Sequence, residues 1–241
     1  MARLLGRFTG DQEECSYLPD RPSSLEVQVL LDVTPAELDA LLVRGWRRFG
    51  VHYLRPACAG CRECVSIRVP VERFEPDRSQ RRARKSCADL RAVVGRPSVD
   101  GERLDLYRRW HASREAKRGW NPSAMDAESY ELEFAFPHPS GREIAYYEGD
   151  RLVGIALCDA TPSCWSACYF YYDPALARRS IGTANVLFQI EHARSLGTPH
   201  LYLGFRVLGC PSMRYKAAFR PHELLEGRPG PGEAPRWVEA P

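Results

Sequence analysis

Three cysteines spaced as Cys58-x-x-Cys61-x-x-Cys64 lie closest to recognisable chemistry in this sequence. Thiolates at this spacing in a loop can converge on one metal ion or on an iron-sulfur cluster. Three ligands leave one position open, and Cys15, in Cys15-Ser16-Tyr17-Leu18-Pro19, is the candidate for it; Cys87, the other cysteine of the N-terminal half, follows a basic block. A bacterial ferredoxin run would place a further cysteine and a proline soon after Cys64, and Val65-Ser66-Ile67-Arg68-Val69-Pro70 lacks the cysteine, so zinc is the first expectation and an iron-sulfur cluster the second. The plain alternative is a set of reduced structural thiols, since C-x-x-C spacing also serves redox and packing roles.

Two further stretches could meet anions. The segment Arg78-Ser79-Gln80-Arg81-Arg82-Ala83-Arg84-Lys85 holds five cations in eight residues, with Ser79 and Gln80 as extra donors. Arg78, Arg81, Arg82, Arg84 and Lys85 therefore predict contacts to a phosphate backbone, and a solvated helix face is the competing reading. Farther on, Arg179-Ser180-Ile181-Gly182-Thr183-Ala184 opens a helical repeat. Gly182 lets the backbone approach a ligand, and the unpaired N-H groups of a helix start attract phosphate, which makes Arg179, Ser180 and Gly182 candidates. An ordinary strand-to-helix turn would use glycine in the same place. Trp46, Phe49 and Tyr53 could stack bases, but aromatics at such spacing are expected in a core and receive no site role.

These residues need elements to position them. Thr34-Pro35-Ala36-Glu37 has the form of a capping box with proline at the first helical position, followed by the stripe Leu38, Leu41, Leu42 and a stop at Gly45. Trp46 to Leu54 reads as one strand running into the cysteine loop, and Val65 to Val71 as another. Gly95-Arg96-Pro97-Ser98 has breaker composition, so a linker is expected near residues 95–102, between a domain of 1–98 and a domain of 99–241. The second part reads as a polar helix from Glu102 to Arg118 stopped by Gly119, a helix between Met125 and Phe134, and a meander of Glu143–Tyr147, Leu152–Asp159 and Cys164–Tyr172. It continues with a helix from Thr183 to Leu196, a strand from His200 to Phe205 and a short helix within Ser212–Phe219. The Pro/Gly-rich tail from Gly227 to Pro235 is expected to be mobile. With 241 residues, 44% hydrophobic and 27% charged, the chain can bury one large core or two small ones. No apolar run is long enough to span a membrane and no signal peptide is evident, so a cytoplasmic protein without membrane association is expected. Nine cysteines, with Cys158, Cys164 and Cys168 in apolar surroundings, argue against a disulfide scaffold. A net charge of +3 does not by itself establish a nucleic-acid partner.

The order helix, helix, meander, helix, strand resembles that of the GNAT acyltransferases, and Arg179 to Ala184 resembles their R-x-x-G-x-A loop. The fold class expected is α+β, a small N-terminal cysteine-containing domain followed by a GNAT-like domain with a mixed sheet flanked by helices. The chain as a whole resembles the arginyl- and leucyl-tRNA-protein transferase family, in particular its short bacterial branch of aspartate/glutamate leucyltransferases. The resemblance rests on Cys15 to Arg21, on Arg47-Arg48 through Cys64 and on Phe74 to Arg82. In the second half it rests on Tyr169 to Pro174, Ser180 to Thr183, Leu201 to Gly204, and Cys210 to Lys216. Asp77 stands where serine is usual and Phe205 where tyrosine is usual. The resemblance implies transfer of leucine, or phenylalanine, from charged tRNA to proteins beginning with Asp or Glu, which marks them for degradation in the N-degron pathway.

Such chemistry requires no covalent nucleophile and no cofactor, because an aminoacyl ester is already activated and an α-amine of pKa about 8 is substantially neutral at cell pH. On the resemblance, Asp173 accepts a proton or orients the acceptor amine, and Thr183 with the amides near Gly182 holds the ester end or a tRNA phosphate. Tyr215 and Lys216 supply a hydrogen bond and a positive charge near the acceptor carboxylate or the oxyanion. Two other readings start from the same residues: a CoA-dependent acetyltransferase, which has no need of the cysteine and basic segments, and a non-catalytic nucleic-acid binder, which leaves the second half unexplained. Arginine as donor is a variant of the main reading.

Overall fold

A computed structural model describes residues 1–240. The first strands form two antiparallel pieces. In chain order these are β1 (Arg3–Thr9), β2 (Glu13–Glu14), β3 (Pro22–Ser23), β4 (Leu25–Leu31), β5 (Arg47–Phe49) and β6 (His52–Pro56). β2 pairs with β3, and the other four form a sheet in the order β1-β4-β6-β5. Helix α1 (Pro35–Leu42) lies between β4 and β5. Its capping box is complete: Thr34 Oγ1 accepts from the Glu37 amide while the Glu37 carboxylate accepts from the Thr34 amide. Leu38 and Leu42 then seal it against Leu30, Val33, Trp46 and Tyr53. The stretch expected as one strand from Trp46 to Leu54 is instead a hairpin, β5 turning into β6 at Gly50. That residue has φ +55°, and a Cβ there would fall 1.9 Å from the Leu132 carbonyl oxygen, so only glycine fits.

The second sheet is mixed and eight-stranded, in the order β14-β13-β7-β12-β11-β10-β9-β8. Its members are β7 (Val65–Pro70), β8 (Arg91–Gly95), β9 (Gly141–Glu148), β10 (Arg151–Ala160), β11 (Cys164–Tyr172), β12 (His200–Arg206), β13 (Glu223–Leu225) and β14 (Trp237–Glu239). The sheet draws strands from both sides of residues 95–102. β7 is hydrogen-bonded to β12 on one side and to β13 on the other, and β8 forms the far edge. Residues of β9 and β10 face opposite ways: Ile144, Tyr146, Val153 and Ala156 join one core, and Ala145, Leu152, Ile155 and Leu157 the other, the period-two logic of a strand, shifted by one residue at the irregularity between Leu152 and Gly154. The first core is covered by α5 (Ile181–Ser195), with α2 (Arg78–Ser86) beside it; the second lies under α3 (Gly101–Arg118) and α4 (Ala127–Tyr130), which runs on into a π-helical turn.

Helix α2 is the basic block. Asp77 caps it, accepting from the Gln80 amide at 2.8 Å while the Gln80 side chain accepts from the Asp77 amide at 2.9 Å. Aspartate thus performs the capping that a serine would perform there. Gln80 and Ala83 face inward, and Ser86 Oγ donates to the Arg179 carbonyl at 2.6 Å, so the helix ends beside the start of α5. Trp46 and Tyr53 are buried, as a core role requires, and Phe49 packs against the α3-side core. All nine cysteines are free thiols, Cys158 and Cys164 being buried.

Candidate active site

The parallel pair β11 and β12 is joined only from Cys164 opposite His200 to Ser166 opposite Tyr202. Beyond that point the strands run on to Tyr172 and Arg206 without pairing with each other, so the sheet splits. Irregularities stand on both sides of the split. The β10–β11 register shifts between Leu157 and Cys158, leaving Cys168 as the extra residue, and the β12–β7 register shifts between Tyr202 and Gly204. Gly204 adopts φ +77°.

Arg47 occupies the base of the split. It is 7% exposed, donates from Nη1 to Ser166 Oγ at 2.9 Å and from Nη2 to the Ala167 carbonyl, and lies flat on Gly204, where a Cβ would come 3.3 Å from its Cζ. The next arginine has a different environment: Arg48, equally buried, pairs with the fully buried Asp159 through Nε at 3.0 Å and Nη2 at 2.5 Å. Arg47 has no carboxylate partner among the described residues. Lys216 lies on the β12 side, donating from Nζ to the Phe205 carbonyl at 3.0 Å. Burial first, and then the nearby Arg47 charge, brings its ammonium down to about 7. The two cations favour a negative group placed between the diverging strands.

The other expected site residues distribute as follows. Asp173 follows the end of β11, accepting from the Ala175 amide at 3.0 Å and pairing with Arg151 at 2.7 Å. Thr183 is half-buried in the first turn of α5, its amide bonded to the Ser180 carbonyl at 2.9 Å. A Cβ on Gly182 would meet nothing within 4 Å, so the start of α5 is open, and Ser180 there has φ 57° and makes no side-chain cap. Arg179 turns away from that opening. It donates to the Ser86 carbonyl at 2.7 Å and pairs with Glu148 at 3.0 Å and with Asp89. Tyr215 is exposed, edge-on to Phe219 with ring centroids 6.4 Å apart. Asp173 and Thr183 thus follow one arm of the split, while Tyr215 and Lys216 accompany the other.

On α2, Arg78, Arg81, Arg82, Arg84 and Lys85 are all exposed. Arg84 pairs with Glu191 at 2.6 Å and Arg81 donates to the Pro76 carbonyl. Arg78, Arg82 and Lys85, at i, i+4 and i+7 on one face, have no side-chain partner among the described residues.

The cysteine loop lies close to the split. Cys64 is near enough to Cys15, Cys58 and Cys61 that these thiols, after burial itself, push it up to about 12, and it also lies within electrostatic reach of Lys216. Two guanidinium groups brace the loop: Arg62 donates to the Cys58 carbonyl at 3.2 Å and Arg228 to the Cys61 carbonyl at 2.9 Å. Four thiols beside two cations are a suitable donor set for zinc or an iron-sulfur cluster, since bound thiolates carry negative charge. As it stands, however, no group of three or more His, Cys, Asp or Glu side chains among the described residues is arrayed to hold an ion. The expected four-cysteine centre is therefore not assembled here.

Sequence reading missed Arg47. Its only signal was the Arg47-Arg48 pair within a strand, where neighbours face opposite sides and two arginines must find two different environments.

A mixed sheet that splits beside a buried arginine and a half-buried lysine, with an open helix start and a basic helix nearby, defines a mixed α/β protein whose split carries positive charge suited to an anionic group. The chain belongs to the arginine-tRNA-protein transferase family. Residues 13–82 match that family's N-terminal model and residues 102–226 its C-terminal model. It is similar to the aspartate/glutamate leucyltransferase of Helicobacter hepaticus, at 35% identity over 97% of each chain, and to that of Chromohalobacter salexigens, at 40% identity over 95% of this chain and 93% of the relative. The aspartate/glutamate leucyltransferase of Pseudomonas putida is 38% identical over 99% of this chain and 97% of its own. Among solved structures, FemX aligns with 83% of this chain and 79% of its own at 9% identity and a TM-score of 0.45. The protein is accordingly an enzyme, an aminoacyltransferase of the class that uses aminoacyl-tRNA and acts on proteins. No helix among the described residues is long and apolar enough to cross a membrane.

Proposed function

We propose that the chain transfers leucine from Leu-tRNA to the α-amine of proteins that begin with Asp or Glu, which marks those proteins for degradation, and that it does so on a GNAT-like catalytic unit. The observation that carries this is the split between β11 and β12 with its buried Arg47 and half-buried Lys216, read together with relatives named for that activity at 35 to 40% identity. The neutral amine attacks the ester carbonyl; a C–N bond forms, the C–O bond to the terminal ribose breaks, and the proton lost by the amine is returned to the departing hydroxyl. The chain's part is to align the two substrates and stabilise the oxyanion. Asp173, held by Arg151 and the Ala175 amide, orients the amine; Thr183 and the α5 amides beside Gly182 and Ser180 hold the donor's terminal phosphate or ester. Lys216 and Tyr215 serve the oxyanion. Arg78, Arg82 and Lys85 contact the tRNA backbone, with Arg81 and Arg84 beside them, whereas Arg179 acts by tying α5 to α2.

For the cysteines we propose a structural zinc ion or iron-sulfur cluster held by Cys15, Cys58, Cys61 and Cys64, which would fasten the N-terminal strands beside the split. Elemental analysis of anaerobically purified protein should show zinc or iron, reduced by each Cys→Ser change; neither element in a fully active parent would rule the centre out. The reaction itself is tested by incubating the protein with Leu-, Phe- and Arg-tRNA and with peptides beginning Asp, Glu, Arg or Ala. Leucine on the Asp and Glu peptides is expected; arginine transfer with none from Leu-tRNA would overturn the donor assignment.

A further inference from the structure

We propose that Arg47 binds the side-chain carboxylate of the acceptor's N-terminal acidic residue and so sets acceptor specificity. This rests on the reading above that the acceptors begin with Asp or Glu. Arg47 and Arg48 are the only buried arginines among the described residues, and Arg48 has its own carboxylate in Asp159. An unpaired charge costs several kcal/mol to bury, and a fold keeps one where a ligand supplies the missing partner. Ser166 Oγ and the Ala167 carbonyl hold two nitrogens of Arg47, but both are neutral, and no protein atom accepts from Nε among the described residues. The location fits the role. Arg47 lies where β11 and β12 part, against a Gly204 whose missing side chain leaves the guanidinium its place. Planar donors in a fixed fork match a carboxylate, and a hydrogen-bonded charge pair discriminates strongly against an uncharged isostere.

The test is steady-state transfer by the full chain to peptides beginning Asp, Asn, Glu and Gln. In R47Q, kcat/KM for the Asp and Glu peptides should fall about 10- to 100-fold, the range of one charge-assisted hydrogen bond, chiefly through acceptor KM. KM for Leu-tRNA should stay within twofold of the parent. The Asp-over-Asn preference should shrink by the same factor, a readout that a general loss of structure would not move. R47K, which keeps the charge and loses the fork, should lie between; if R47Q fails to fold, R47K decides by the same ratio. Undiminished Asp-over-Asn preference in either folded variant overturns the proposal, as does an equal loss on all four peptides together with loss of bound metal, which would make Arg47 the counter-ion of the thiolates. A parent that transfers nothing to the Asp and Glu peptides would instead remove the acceptor reading on which the proposal rests.

Discussion

The partnerless face of α2 allows a quantitative prediction about tRNA binding. Arg78, Arg82 and Lys85 are exposed and have no side-chain partner among the described residues, whereas Arg84 is tied to Glu191 and Arg81 to the Pro76 carbonyl. If the three free cations each neutralise a phosphate, replacing all three with alanine should flatten the slope of log K against log salt by about 2 to 3, since each contact contributes about 0.7 to 0.9. R81A/R84A should flatten it by less, because those side chains must first leave their partners. Stability should hardly change in either variant, surface substitutions of this kind lying within about 0.5 kcal/mol. Filter binding of Leu-tRNA over a salt series, with thermal melts as control, measures both. Turnover at saturating tRNA should stay near that of the parent. Equal slopes for parent and triple variant would show that α2 is merely a solvated face, and the contact surface would have to lie elsewhere.

Three further outcomes follow from particular contacts. Asp159→Asn leaves Arg48 buried without its carboxylate and should cost about 3 to 5 kcal/mol of stability, with R48M/D159N recovering much of it in urea melts. Gly50→Ala puts a Cβ against the Leu132 carbonyl oxygen in a left-handed conformation, so a loss above about 2 kcal/mol is expected, read as a lowered Tm. Lys216 has a folded-state pKa of about 7, below its ordinary value, so the folded chain binds fewer protons than the unfolded one between about pH 7 and the ordinary lysine range. Parent stability should therefore gain from this group as pH rises through that window, by up to about 1.4 kcal/mol per pH unit. The advantage of K216M over the parent should be greatest at or below pH 7 and shrink above it; a gap that widens from pH 7 to 9 would refute this.

Much of the architecture was legible in the sequence because its signals are local. The capping box at Thr34, the stop at Gly119 and the helical repeat from Val186 to Ala193 each depend on neighbours within a few residues, and they mark α1, α3 and α5; the Asp77 cap of α2 is equally local but was not read from the sequence. The meander of β9, β10 and β11 is announced by its turns, and the family by blocks of residues in a fixed order. The strands β1 and β4 escaped notice because their residues are exposed or half-buried on both faces, so no apolar alternation marks them. Other features belong to tertiary structure alone. No local pattern directs β7 to insert between β12 and β13, since strand partners are selected by long-range packing rather than by adjacent residues. Nor can local pattern show that of two adjacent arginines one meets Asp159, which lies 111 residues away in the chain, and the other meets no carboxylate among the described residues. The charge of Arg47 was plain in the sequence; that it meets no carboxylate among the described residues is decided only once the chain has folded and removed water from around it.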